Sequence, residues 1–162
     1  MIDLPLNKLL FFDLETVGIE KDLPTLKKNR PELARLFESY LDWFIRKYPD
    51  QEGKTPEEIF INKAALVAEF SKIIVASFSF ITPSDEVHTQ TFAEDDEKEL
   101  LLKVRDLLNK VQKLDFHLCG HNIKFFDIPT LGKRFLTNNI LPPKILPSYE
   151  TKPWEVKALD TK

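Results

Sequence analysis

The sequence predicts an α/β domain built on a mixed sheet that is flanked by helices. Stretches rich in β-forming residues occur at 8–16, 72–81 and 87–92. A repeat with helical spacing follows at 94–113, and strand and helix patterns then alternate to the end of the chain. Strands that are followed by alternating helices and strands are typical of a mixed sheet covered by helices.

The first three strands open the predicted sheet. Residues 8–16 contain an apolar run from Leu9 to Phe12, and residues 72–81 form a longer stretch rich in β-forming residues that ends before Pro83. Residues 87–92 follow after a short connection. Because a connection this short joins neighbouring strands of opposite direction, we expect the second and third strands to form an antiparallel pair.

The second half of the chain supplies two helices and two strands. The helix at 94–113 begins with four acids, which favour a helix N-terminus, and it has one apolar stripe. The stripe consists of Leu100, Leu101, Val104, Leu107, Leu108 and Val111. A short buried strand at 116–120, a helix at 126–136 and a fifth strand at 155–160 complete the prediction. This order of elements fits the ribonuclease H-like fold.

A helical insertion of about 22–66 separates the first two strands. Apolar residues between 33 and 48 repeat at helical spacing in a helix entered through Pro31, and a second helix begins with the capping box Thr55-Pro56-Glu57-Glu58. Two interpretations stay open. We favour an extra helical pair that covers one face of the sheet, since periodicity indicates only a buried face. A lid or substrate-guiding element is the alternative, because the insertion leaves the sheet just after Glu15.

Length and composition favour one compact domain spanning 1–162. Of the 162 residues, 43% are hydrophobic, which is enough to build a core, and 13 are Phe. The single cysteine, Cys119, excludes an intramolecular disulfide, and the chain contains no run of about 18 apolar residues. We therefore expect a soluble, cytoplasmic protein that has no membrane partner.

The net charge of −3 opposes a strongly nucleic-acid-binding surface. Sequence-independent binding usually depends on basic residues that displace counterions from phosphates. A nuclease can instead hold a phosphate through metal ions that cancel the charge of its own carboxylates. Weak, metal-dependent binding is the consistent expectation.

Two acids in the first strand form the strongest candidate site. Side chains alternate between the faces of a strand, so Asp13 and Glu15 project to one side and Phe12 and Leu14 to the other. Two neighbouring carboxylates repel each other, and a divalent cation removes that conflict. A solvated edge strand is the alternative, and the apolar residues that precede Asp13 argue against it.

A third acid, Asp127, lies about 110 residues further on, and three acids from distant segments suggest one metal site. Taken alone, Asp127 fits equally well as an acid that stabilises a helix N-terminus. Asp160 is a possible additional acid, although a strand-end acid without chemistry is the favoured interpretation.

Three residues near Asp127 are candidates for substrate binding. Asn122 is suited to donate a hydrogen bond to a phosphate, and Phe126 or Phe125 to stack on a terminal base. Core packing is the alternative for one of these Phe residues. His121 has the chemistry of a general base, but we favour a structural role for it.

Asp13-x-Glu15 and Asn122-x3-Phe126-Asp127 resemble the first and second exonuclease motifs of the DEDD superfamily of 3′-5′ exonucleases. The similarity is to the branch that contains the proofreading domain of family B DNA polymerases, and within it to stand-alone polymerase-B-like exonucleases. It runs from about Leu9 to the end of the chain and is poorest from about Asp22 to Leu66. Further matching segments are Phe70-Ser71-Lys72-Ile73, Cys119-Gly120-His121-Asn122, Phe126-Asp127-Ile128-Pro129, Lys152-Pro153-Trp154-Glu155 and Leu159-Asp160-Thr161.

The resemblance implies hydrolysis of phosphodiester bonds at the 3′ ends of single-stranded or frayed DNA or RNA. It implies two Mg²⁺ or Mn²⁺ ions, which suit all-oxygen ligands. In this assignment Asp13 bridges both ions, Glu15 binds one of them and Asp127 binds the second. Protein partners are not indicated.

The resemblance also predicts a third motif, Tyr-x3-Asp, that this sequence does not contain. Tyr149 is followed by Glu150, Thr151, Lys152 and Pro153. We therefore expect the chain to lack a C-terminal part of the domain, and activity without the fourth acid stays open. A catalytically inactive nucleic-acid-binding or protein-interaction domain on the same fold is the alternative function, and a ribonuclease H-like endonuclease or transposase-like domain is a third.

Overall fold

The strands of the chain form one five-stranded mixed sheet in the order β3-β2-β1-β4-β5, which confirms the α/β class and matches a ribonuclease H-like topology. The structure is a computed structural model that describes residues 5–148, 150–152, 156 and 158–162. The strands are β1 (Leu9–Gly18), β2 (Ser71–Ile81), β3 (Val87–Ala93), β4 (His117–Gly120) and β5 (Ala158–Asp160). The helices are α1 (Leu23–Asn29), α2 (Pro31–Ser39), α3 (Leu41–Lys47), α4 (Pro56–Lys63), α5 (Glu97–Lys113) and α6 (Asp127–Thr137).

Strand pairing places β1 at the centre of the sheet. The predicted antiparallel pairing of β2 with β3 is confirmed, with Ala76 opposite Phe92. β4 runs parallel to β1 and β5 runs parallel to β4, which brings Asp160 beside Gly120. The predicted fifth strand is confirmed for Ala158–Asp160 alone; positions 155 and 157 of that prediction lie outside the described residues.

The chain divides into two compact units, one comprising 1–15 and 73–162 and the other 16–72. The first unit contains a core of side chains from the sheet, α5 and α6, including Leu10, Ile73 and Leu131. The second unit has an aromatic core, in which the ring centroid of Phe37 lies 5.1–5.3 Å from those of three other Phe residues. The prediction of one domain is not decided by this division.

The prediction of a single helix across 33–48 is wrong, because α2 ends at Ser39 and α3 begins at Leu41. The Ser39 hydroxyl donates to the carbonyl of Leu36 at 2.7 Å, and the Tyr40 amide bonds to Phe37 rather than continuing the α-helical pattern. The apolar repeat continues across the break because both helices contribute side chains to the same core.

The insertion contains four α-helices rather than the predicted pair. The additional helix α1 begins after Asp22, whose side chain accepts a hydrogen bond from the Thr25 amide at 2.7 Å. This cap and the proline in the first turn are the sequence signal that marks the helix. The helix predicted at 94–113 begins instead at Glu97, because Asp96 caps it. Among the described residues, no helix is long and apolar enough to cross a membrane.

Candidate active site

Asp13 and Glu15 share one face of the central strand, as the alternation predicts. Both side chains are exposed, whereas Phe12 and Leu14 between them are 4% and 5% exposed. The Phe12 ring stacks on Phe78 with the centroids 5.7 Å apart, which fixes the buried face of β1. The two carboxylates are therefore presented to solvent from a strand that the core holds in place.

Asp127 reaches this strand from the first residue of α6. Its side chain is only 3% exposed, and its Oδ1 accepts a hydrogen bond from the Leu14 amide at 3.2 Å. The β1–β4 pairs run from Leu9 to Phe11, so the Leu14 amide lies beyond the part of β1 that pairs with β4. The carboxylate supplies the acceptor that β4 does not. This bond brings the third acid next to the segment that carries the first two.

The electrostatics of Asp127 are unfavourable for a charged carboxylate. Burial raises the pKa of Asp127 to about 6, and the negative charge of Asp13 adds to the shift. The hydrogen bond from Leu14 opposes this shift only in part. A bound cation would stabilise the charged form of a carboxylate that is buried close to a second carboxylate.

The turn between β4 and α6 depends on a glycine. A Cβ atom at Gly120 would lie 2.7 Å from the carbonyl oxygen of Phe12 and would also overlap Ile123. Asn122 then adopts a left-handed conformation with φ of 60°, and its carbonyl accepts the amide of Phe126 at 3.1 Å. This tight turn starts α6 close to β1.

Asp160, on β5, stabilises the same turn by accepting hydrogen bonds from two of its backbone amides. Its Oδ1 accepts the Asn122 amide at 2.8 Å, and its Oδ2 accepts the Lys124 amide at 3.0 Å. Burial acts to raise the pKa of Asp160, but the amide bonds from Lys124, Lys162 and Asn122 outweigh it, so the pKa is lowered. Asp160 as an additional metal ligand stays a prediction, and both of its oxygens already accept hydrogen bonds.

The substrate-binding candidates occupy different positions around the turn. The Asn122 side-chain oxygen accepts from Lys162 Nζ at 3.1 Å, and His121 Nδ1 lies 3.3 Å from the Thr161 hydroxyl. Phe126 is half-buried, whereas Phe125 is 69% exposed. Of the two rings, Phe125 offers the larger free face, a difference that the sequence alone does not reveal. The role of Phe126 stays a prediction.

Among the described residues, no three His, Cys, Asp or Glu side chains lie close enough together to hold a metal ion. The structure brings Asp127 into electrostatic contact with Asp13, and Glu15 lies on the same face of β1 as Asp13. Carboxylate oxygens are the donors that Mg²⁺ and Mn²⁺ prefer, and Mg²⁺ is commonly held by one or two carboxylates together with water and substrate phosphate. The donor set therefore fits an ion that is only partly held by the protein.

The fold and the site define an α/β domain of ribonuclease H-like topology with acidic side chains gathered at its central strand. Comparison with known proteins yielded no match to a family model, to a curated protein or to a solved structure. The function is therefore inferred from the geometry and chemistry of the site.

Proposed function

We propose that this chain is a metal-dependent 3′-5′ exonuclease domain that hydrolyses phosphodiester bonds at single-stranded or frayed ends of DNA or RNA, in the cytoplasm. The observation that carries the proposal is the hydrogen bond from Leu14 to Asp127. It joins the two segments that resemble exonuclease motifs, although 113 residues separate them. An acid buried against another acid costs stability, so a role in chemistry gives a reason for its presence.

Asp13 and Asp127 are the residues that would hold a divalent cation, and Glu15 would bind a second ion or the terminal hydroxyl. Bound Mg²⁺ or Mn²⁺ supplies a lowered pKa for water and neutralises charge on the phosphodiester. Asp127 is ionised above pH 6, so its contribution as a ligand grows as the pH rises through that value. Asp160 keeps the turn that carries Asn122 and Lys124 in place.

The test is digestion of 5′-labelled single-stranded DNA and RNA in Mg²⁺ or Mn²⁺ by the wild type, Asp13→Asn and Asp127→Asn. We expect the wild type to shorten at least one of the two labelled strands stepwise from the 3′ end, and both variants to lose this activity. Asp106→Asn is the matched control, because Asp106 is an exposed acid on α5 that is paired with Arg105. It is expected to match the wild type.

A circular single strand separates the exonuclease from an endonuclease, because it has no 3′ end to attack. Cleavage of the circle by the wild type would contradict the proposal in favour of an endonuclease. Loss of activity in Asp106→Asn as well as in Asp127→Asn would mean that the assay reports folding and not the acids.

A catalytically inactive binding domain is the second candidate. It is favoured by the observation that no three acidic side chains of the described part of the chain form a metal cluster. For such a domain we expect the wild type to bind an oligonucleotide equally well in Mg²⁺ and in EDTA without shortening it.

A further inference from the structure

A groove of about 670 Å³ runs along one side of α6 in the first unit. Ile128, Gly132 and Leu136 lie at successive helical turns on its helix side, and the proline-rich segment 141–147 forms the facing wall. Leu136 and Leu141 are 58% and 84% exposed, which is unusual for two leucines that border one groove. The groove is large enough for a small ligand, since binding clefts measure about 300–1,000 Å³.

The charge around the groove differs from that of the whole chain. Its described lining residues include Lys124, Lys133 and Lys144 and no acid, although the chain as a whole has a net charge of −3. Apolar walls with ammonium groups beside them complement a ligand that has apolar faces and regularly spaced negative charges. Single-stranded nucleic acid has both properties, because flat bases alternate along it with phosphates.

Two lining residues of the groove adjoin the candidate active site along the chain. Lys124 lies in the turn whose amides bond to Asp160, and Ile128 directly follows Asp127 in α6. We propose that the groove binds the unpaired strand next to its 3′-terminal nucleotide, with bases against the apolar walls and phosphates on Lys124 and Lys144. This inference rests on the proposed exonuclease function for its placement of the 3′ end.

Gly132 provides a way to fill the groove without disturbing the fold. A Cβ atom at this position meets no other atom within 4 Å, so a larger side chain extends into open space. Replacing a glycine inside a helix also raises helix propensity. Gly132→Trp blocks the groove, and Gly132→Ala is the matched control that leaves it largely open. Lys144→Glu reverses a charge at the groove, and Lys98→Glu makes the same change on α5, at a residue that does not line it.

The first measurement is fluorescence anisotropy with a labelled oligothymidylate in EDTA, which needs no catalysis. We expect Gly132→Trp and Lys144→Glu to weaken binding by about tenfold, and Gly132→Ala and Lys98→Glu to change it by less than about twofold. Wild-type affinity in Gly132→Trp would overturn the inference. So would a wild type that binds an acidic peptide but not the oligonucleotide, which would indicate a protein partner.

The second measurement compares cleavage of the oligonucleotide with cleavage of thymidine 5′-monophosphate p-nitrophenyl ester, whose single nucleotide does not extend into the groove. Slow cleavage of the oligonucleotide by Gly132→Trp, with wild-type cleavage of the ester, would support the inference. If Gly132→Trp cleaves both substrates at wild-type rates, the inference about the groove is overturned and the exonuclease proposal still stands. If the wild type cleaves neither substrate, the exonuclease proposal fails, and weakened oligonucleotide binding by Gly132→Trp would still support the groove as a binding site.

Discussion

Two carboxylates are buried in the described part of the chain, one beside each end of α6. Asp127 is the first residue of α6, and Glu97, on α5, contacts Arg134 and Asn138 near the C-terminal end of α6. Glu97 accepts hydrogen bonds from the Ile73 amide at 2.8 Å, from two Arg134 nitrogens and from Asn138 at 3.0 Å. Asp127 accepts a hydrogen bond from the Leu14 amide, and the negative charge of Asp13 lies nearby. At similar burial, one carboxylate is matched by a cation and the other is opposed by an anion. The first is suited to hold the fold together and the second to receive a cation.

The largest expected effect on stability comes from removing Arg134, the cation that pairs with Glu97. Arg134→Met leaves the charge of Glu97 buried without its partner, so we expect the free energy of unfolding to fall by about 3–5 kcal/mol. Urea denaturation measures this change. Arg105→Met removes an exposed pair with Asp106 and is expected to cost less than about 1 kcal/mol. Equal losses in the two variants would contradict a special role for the buried pair.

Removing the charge of Asp127, which Asp13 opposes, is expected to raise the free energy of unfolding instead of lowering it. The pKa of Asp127 is about 6 in the fold and about 3.9 in an unfolded chain, so the native state binds more protons between these values. The free energy of unfolding therefore falls by about 2–3 kcal/mol as the pH rises from 4 to 6 and stays lower above it. Asp127→Asn keeps an acceptor oxygen for Leu14 and removes the charge.

We therefore expect Asp127→Asn to be more stable than the wild type at pH 8 in EDTA, by up to about 2–3 kcal/mol, and equally stable at pH 4. Urea denaturation across this pH range, with Asp106→Asn as the control, measures the difference between the curves. A variant that is less stable than the wild type at pH 8 would show that the Asp127 charge is compensated in the fold.

A third carboxylate, Asp160, lies between these extremes because backbone amides donate hydrogen bonds to it. Asp160→Ala removes the acceptor for the amides of Asn122 and Lys124, and we expect a loss of about 1–2 kcal/mol at pH 7. Because the pKa of Asp160 is lowered, its contribution is present above pH 4 and disappears as the pH falls through its folded pKa. Hydrogen exchange should accelerate at these two amides first, and uniform acceleration across the sheet would contradict a local role.

The smallest expected effect is that of the cation itself. Mg²⁺ at about ten times its dissociation constant should stabilise the wild type by about 1.4 kcal/mol at pH 8, because it binds the folded state alone. Thermal melts with Mg²⁺ and with EDTA measure this effect. Asp127→Asn should show little response, and equal stabilisation of both proteins would place the ion elsewhere.

The sequence predicts what is local and misses what depends on distant contacts. The shared face of Asp13 and Glu15 follows from strand geometry alone, and the order of strands and helices predicts the fold class. Glu97 belongs to an acidic run that indicates a helix N-terminus. That run does not predict its pairing with Arg134, which lies 37 residues later in the chain. The engagement of Asp160 likewise depends on β5 lying beside β4. The sequence does not indicate the break at Tyr40, because neither glycine nor proline occurs there.

Gly120 limits how this sequence can change over evolutionary time. Every other amino acid adds a Cβ atom, which would lie 2.7 Å from the Phe12 carbonyl oxygen and would force β1 and β4 apart. The turn that starts α6 follows directly, so the displacement would reach the contact between Asp127 and Leu14. We therefore expect no amino-acid substitution at this position to be neutral. In a saturation library, the position should tolerate substitution as poorly as the acids do, although it carries no functional group of its own.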